Sequence, residues 1–189
     1  MYAILLAAGF SSRMGRLKQT IAIDGTPMIR QVAEPLYQAG LRLIVVIGHE
    51  RERVQEALTA LPCEYVSNDH PEDGMFSSVR LGCLAVESGQ ACLLTPCDCP
   101  GIHITTIQKI QATLTHHPAN VVIPTFQGKR GHPVGLPAWL VAHICSLPPD
   151  TPGLNSLWRH TPEKVWQLEV DDPAVLRDID TPEDLQRSR

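Results

Sequence analysis

Short apolar runs alternate with longer stretches of helical periodicity along this chain. Ala3–Ala7, Leu41–Ile47, Cys63–Ser67, Ala91–Pro96 and Asn120–Pro124 are apolar runs bounded by turn residues, the pattern of buried strands. Met28–Ala39, Glu52–Ala60, Met75–Glu87, Ile104–His116 and Ala138–Ser146 carry the spacing of helices with one apolar face. This β-α-β-α rhythm predicts an α/β fold, a mostly parallel sheet covered on both faces. Val134–Leu136 and Trp166–Val170 read as later strands, one of them a candidate antiparallel strand. Thr181-Pro182-Glu183-Asp184-Leu185 reads as an N-cap, a proline at the first helical position and an acidic first turn, so a short helix ends the sequence. Pro35 falls inside the first helical pattern and is expected to kink or shorten it. The loop Pro148–Gly153 is no domain boundary, because too little chain follows it to build a second core. Residues 1–189 are therefore read as one domain.

Composition narrows the function. A chain of 189 residues, 43% hydrophobic and 19% charged, can bury a sizeable core. A formal net charge of −4 argues against binding driven by attraction to nucleic-acid phosphates, though it leaves room for a local basic pocket. No apolar stretch approaches the roughly 20 residues of a membrane span. Tyr2–Ala7 is too short for a signal peptide, and a cytoplasmic protein is expected. The six cysteines form no C-x-x-C pair. Cys63 and Cys92 fall in strand-like runs and read as core residues. Cys97 and Cys99 bracket Asp98; small-residue packing around a functional aspartate is preferred to a zinc site, which would need a second pair.

The densest chemistry lies in Leu6-Ala7-Ala8-Gly9-Phe10-Ser11-Ser12-Arg13-Met14-Gly15-Arg16-Leu17-Lys18, directly after the first strand. Glycines let backbone N–H groups approach an anion, and the cations neutralise it, which is what a strand-end loop needs to hold a polyphosphate. The spacing is not that of a P-loop, which has four residues between its glycines and a lysine directly after the second. Here five residues separate Gly9 from Gly15, and Lys18 follows three positions later. The dinucleotide pattern G-x-G-x-x-G is also missing. The competing reading is an ordinary basic βα turn.

Three further clusters carry candidate chemistry. Thr95-Pro96-Cys97-Asp98-Cys99-Pro100 leaves the fourth strand. If that strand neighbours the first, Asp98 lies beside the phosphates, and a carboxylate there calls for a cation such as Mg²⁺; the alternative is a turn residue before Pro100. In Asp178-Ile179-Asp180-Thr181-Pro182-Glu183-Asp184, Asp180 is the candidate second metal ligand, against helix capping by Asp180 or Thr181. Gly128-Lys129-Arg130-Gly131-His132-Pro133-Val134 is either a basic turn for a second anionic substrate or a hairpin with solvated charges. His49, His116 and His117 read as loop and helix-end residues, and Trp139, Trp158 and Trp166 as packing.

The first loop resembles the signature L-A-x-G-x-S-x-R-M-G-x-x-K of nucleotidyltransferases, and together the motifs resemble the MobA-like nucleotidyltransferase family from Ala3 to Leu185. Asp73-Gly74-Met75-Phe76-Ser77-Ser78 is similar to the family's G-M-x-x-S segment, which packs against base or ribose; a plain helix cap by Asp73 or Ser77 is the alternative. The D-x-D-T-P-E-D pattern resembles the segment that closes the family's site. Ala7-Ala8-Gly9, Gly131-His132-Pro133 and Glu169-Val170-Asp171-Asp172-Pro173 are similar to the branch of molybdenum cofactor cytidylyltransferases (MocA-like), whereas the guanylyl branch carries A-G-G at the first position. One stretch departs: where that branch carries G-D-x-G-x-R, this chain has Asp150-Thr151-Pro152-Gly153-Leu154-Asn155, without the arginine.

The resemblance implies a Rossmann-like three-layer α/β/α fold of the nucleotide-diphospho-sugar transferase type. It implies nucleotidyl transfer from an NTP, CTP favoured, to an anionic acceptor such as molybdopterin, dependent on Mg²⁺ or Mn²⁺. Arg13, Lys18 and Asp98 are the implied catalytic residues. Leu6, Ala7, Ala8, Gly9, Ser11, Ser12, Gly15, Gly74, Ser77 and Ser78 would hold the nucleotide. Arg130, Gly131, His132 and Pro133 would hold the acceptor, and Asp98 and Asp180 the metal. A molybdoenzyme or its chaperone is the implied recipient of product; no nucleic-acid or membrane partner is expected. The rivals are a guanylyltransferase using GTP, a transferase acting on a sugar phosphate or another phosphorylated small molecule, and a nucleotide-binding regulator or cofactor chaperone without turnover.

Overall fold

The computed structural model describes residues 1–10, 14, 17–159 and 161–187. The strands are β1 (Tyr2–Ala7), β2 (Ala22–Ile23), β3 (Thr26–Pro27), β4 (Arg42–Ile47), β5 (Cys63–Ser67), β6 (Cys92–Pro96), β7 (Val121–Phe126), β8 (Lys129–Arg130), β9 (Val134–Leu136) and β10 (Val165–Glu169). The helices are α1 (Met28–Gln38), α2 (Arg51–Ala57), α3 (Met75–Leu84), α4 (Ile104–His116), α5 (Ala138–Ser146) and α6 (Pro182–Arg187). The main sheet runs β10-β7-β9-β6-β1-β4-β5, with β8 paired to β7. It is parallel except for β9, which lies antiparallel between β6 and β7, and the short β8.

Alternation along the central strands builds the three layers. Ala3, Leu5, Leu43, Val45 and Leu93 point to one face, where Ile29, Val32 and Leu36 of α1, Val54 of α2 and Ile107, Ile110 and Leu114 of α4 cover them. Ile4, Leu6, Ile44, Val46 and Leu94 point to the other, under Phe76 and Val79 of α3 and Leu140 and Ile144 of α5. Strands apolar on both faces belong in a sheet buried on both sides.

The element boundaries differ from the sequence pattern where local bonds intervene. α3 stops at Leu84 rather than Glu87, because the N–H groups of Ala85 and Val86 turn back to the carbonyls of Gly82 and Cys83, three residues earlier. β7 runs beyond Pro124 to Phe126 because Thr125 and Phe126 pair with Arg130 and Lys129 of β8. Pro35 does not end α1, which continues to Gln38. At α6 the Asp184 N–H donates to Thr181 Oγ1, and Asp184 Oδ2 accepts from the Thr181 N–H at 2.9 Å. This reciprocal cap is the one that the Thr-Pro-Glu-Asp sequence predicts.

Candidate active site

β1 continues on one side to β4 and β5, while β6 pairs with its other edge. The loops leaving β1 and β6 therefore meet where the strand order reverses, the place where open α/β sheets bind ligands. Leu6 stands opposite Pro96, and its carbonyl accepts the Cys97 N–H at 3.2 Å. The first loop is held by a residue that the motif does not contain: the buried Gln19 donates from Nε2 to the carbonyls of Ala7 and Gly9, each at 3.1 Å. That fixes the start of the loop on the strand end. Ser11, Ser12, Arg13 and Gly15 lie outside the described residues.

Three carboxylates converge just beyond the end of β6. Asp98, Asp178 and Asp180 each place an oxygen within 4.8 Å of the others. Asp98 is buried, Asp180 half-buried and Asp178 exposed. The C-terminal segment is tied there by the Ile179 N–H, which donates to the Asp98 carbonyl at 3.1 Å. Between the two aspartates, the Ile179 side chain is fully buried in a small core with Met14, Ile21, Ile23, Met28 and Leu185. One apolar anchor between two acids thus sets both carboxylates beside Asp98. A set of hard oxygen donors at this spacing suits Mg²⁺ or Mn²⁺. Asp178 is the ligand candidate that the sequence reading did not single out.

Lys18 belongs to the same cluster. Its ammonium is bonded to Asp98 Oδ2 and, at 2.7 Å, to Asp180 Oδ1. Burial works against its charge, but the Asp98 charge and the hydrogen bonds to Asp180 and Asp98 outweigh it and hold the group above the ordinary lysine range. Cys97 and Cys99 are buried in the core, as the packing reading expects; Cys99 Sγ donates to Asp98 Oδ1 at 3.6 Å, and among the described residues the group of possible metal ligands holds neither cysteine. Burial pushes the Cys97 thiol up to about 12, so it stays neutral beside Asp98.

The segment opening α3 is organised from β5. Buried Asn68 donates from Nδ2 to Ser77 Oγ and Ser78 Oγ, both at 2.9 Å, and Ser77 Oγ donates to the Gly74 carbonyl at 2.8 Å. Both hydroxyls are thus engaged within the protein, and Gly74 caps the helix without a side-chain bond. Asn68 carries no motif and was invisible in the sequence.

A separate cavity of about 400 Å³ opens beside β8 and β9, lined among others by Arg130, Gly131, His132, Asn155, Trp158 and Arg159. Pro133 is buried and does not line it. Gly131 is fixed by close approach: a Cβ there would stand 2.1 Å from the Val175 carbonyl oxygen. Its N–H donates to the Pro124 carbonyl and that of His132 to Val175, each at 2.8 Å. Burial pulls the His132 imidazole below the ordinary histidine value, against the nearby Asp98 charge and a hydrogen bond to the Leu94 carbonyl. The ring is therefore neutral at pH 7, consistent with a buried Nδ1 that has no partner among the described residues.

The MobA-like NTP transferase domain is matched over residues 3–165. A molybdenum cofactor cytidylyltransferase of Escherichia coli (strain K12) is 26% identical, over 96% of this chain and 91% of the relative. A probable molybdenum cofactor guanylyltransferase of Natronomonas pharaonis is also 26% identical, over 98% and 95%. The solved structure of Rv0371c from Mycobacterium tuberculosis H37Rv superposes with a TM-score of 0.84 at 23% identity, covering 99% of this chain and 95% of that one. The same mycobacterial protein, solved as a complex with manganese, gives 0.79 at 22% identity, covering 99% and 96%. These structures share the three-layer nucleotidyltransferase fold.

Proposed function

Because the chain belongs to the MobA-like NTP transferase family, we propose that it transfers CMP from CTP to the phosphate of molybdopterin or its molybdenum-loaded form, releasing pyrophosphate. The observation that carries this reading is the cluster of Asp98, Asp178 and Asp180 with Lys18 at the strand-order reversal. The CTP preference is supported by Ala7-Ala8-Gly9 in the first loop and by the cytidylyltransferase relative. GTP is the second reading, supported by the guanylyltransferase relative at the same identity. Six cysteines in free form fit a reducing cytoplasm, where we place the reaction. No helix among the described residues is long and apolar enough to cross a membrane.

In the proposed reaction, an acceptor phosphate oxygen attacks the α-phosphorus of the NTP. The bond between the α-phosphorus and its bridging oxygen breaks, and pyrophosphate leaves with the electron pair. Asp98 and Asp180, with Asp178, would hold Mg²⁺ or Mn²⁺, which supplies Lewis-acid stabilisation of charge on the phosphates. Gly9 and Gly15 would let backbone N–H groups face the triphosphate, with Ser11 and Ser12 donating from their hydroxyls. Arg13 and Lys18 would neutralise the charge that develops on the leaving pyrophosphate. Leu6, Ala7 and Ala8 set the loop's origin on β1, Gly74 with Ser77 and Ser78 at the start of α3 shapes the base side, and Arg130, Gly131 and His132 form the acceptor side, with Pro133 packed behind them. Positioning and neutralisation carry most catalysis of this type, and no covalent intermediate on the protein is needed.

The test is pyrophosphate release from each of the four NTPs in the presence of molybdopterin. Release with CTP, dependent on added divalent metal, supports the reading. Release with GTP alone moves the chain to guanylyl transfer. Tight nucleotide binding without release from any NTP would replace the enzyme by a nucleotide-binding chaperone.

A further inference from the structure

We infer that Arg159 is a specificity-determining residue of the acceptor cavity, pairing with Arg130 to hold a doubly charged phosphomonoester; this rests on the transferase reading above. The two residues line the cavity from different parts of the chain. Arg130 comes from β8, and Arg159 follows the single helical turn Leu154–Leu157. Among the described residues, neither side chain makes an ion pair or hydrogen bond, whereas Arg30, Arg42, Arg51 and Arg53 all face acids. Two uncompensated cations facing one concavity are an anion site in need of an anion, and the planar fork of arginine suits phosphate oxygens.

The sequence explains why this residue escaped notice. The stretch Asp150–Asn155 lacks the arginine that the cytidylyl branch carries there, yet Asn155 and Arg159 line the same cavity. The rest of the lining is mixed. Ile123, Val134, Val165 and the indole of Trp158 give an apolar wall, and no carboxylate is among the described lining residues. A body that is part apolar and part hydrogen-bonding, with a dianionic end, fits this lining, in which His132 and Asn155 add polar atoms to the two arginines.

The experiment is calorimetric titration with phenyl phosphate, with phenol as the uncharged control and the triphosphate loop filled by a CTP analogue carrying a methylene bridge between the α- and β-phosphorus. Arg159 and Arg130 are exposed, so Arg159→Met and Arg130→Met leave the core intact. Each is expected to weaken phenyl phosphate binding roughly tenfold or more, the worth of a charge-assisted hydrogen bond. Arg159→Lys recovers part of it, and Arg51→Met, on a distant helix, changes nothing. Equal affinity of wild type and Arg159→Met, or equal binding of phenol and phenyl phosphate, overturns the inference. Binding of the CTP analogue is measured separately. Its failure removes the transferase reading, while the comparison of the arginine variants with phenyl phosphate alone still decides the role of Arg159.

Discussion

The Lys18 ammonium lies 2.7 Å from Asp180 Oδ1 and is bonded to Asp98 as well, so one side-chain cation neutralises two of the three carboxylates that could ligate a metal. A divalent ion must compete with it for the same oxygens. Lys18→Met is therefore expected to bind Mn²⁺ alone about tenfold more tightly, by electron paramagnetic resonance, while nucleotidyl transfer falls on the order of 10²-fold or more for want of the cation. Unchanged Mn²⁺ affinity would mean that Lys18 and the metal do not share these carboxylates.

Within the carboxylate cluster, burial ranks the candidate ligands. Asp98 is buried and Asp178 exposed, so the Asp98 charge is the less screened and the more strongly felt. Asp98→Asn should cost on the order of 10² to 10⁴ in turnover, and Asp178→Asn clearly less. Steady-state pyrophosphate assays on both variants check the order; a larger loss in Asp178→Asn reverses the assignment.

Gly131 has no room for a side chain, because the added Cβ would meet backbone, at 2.1 Å from the Val175 oxygen. Gly131→Ala must push apart the β8–β9 loop and the segment around Val175. A loss of about 1–3 kcal/mol is expected, the usual cost of overpacking. Urea denaturation measures it; a variant as stable as wild type would show that this contact is loose.

Most of the fold was legible because strands buried on both faces are continuous apolar runs, and five of them with five helical stretches leave few arrangements. The β2–β3 hairpin was missed although Asp24-Gly25, both at positive φ, is a strong two-residue turn signal; its strands are only two residues long and show no periodicity. Asp98, Lys18 and Asp180 were legible as motif residues, and the structure brings all three together. Gln19 and Asn68 were not, since each acts through side-chain hydrogen bonds that form only once strand and loop have folded, and no motif carries them. Asp178 lay in plain sight, but its place in the cluster depends on Ile179 packing inward between it and Asp180.

His132 gives the protein a dependence on pH. Its folded-state pKa is below the ordinary value of 6.5, so below that value the unfolded chain binds more protons than the folded one. Stability from this group is complete above about 6.5 and is lost as pH falls toward the folded-state pKa. Urea midpoints between pH 8 and pH 5 should therefore fall less steeply in His132→Gln than in wild type. Parallel profiles would contradict a neutral imidazole with its Nδ1 buried.

The central claim is that this site binds a nucleoside triphosphate through metal held by Asp98. Calorimetric titration of CTP, GTP, ATP and UTP with Mg²⁺, on wild type and Asp98→Ala, tests it most directly. The account predicts binding with a preference for CTP, weakened in the variant and on removal of Mg²⁺. Binding of no nucleotide, or equal binding by both proteins with and without metal, would contradict it.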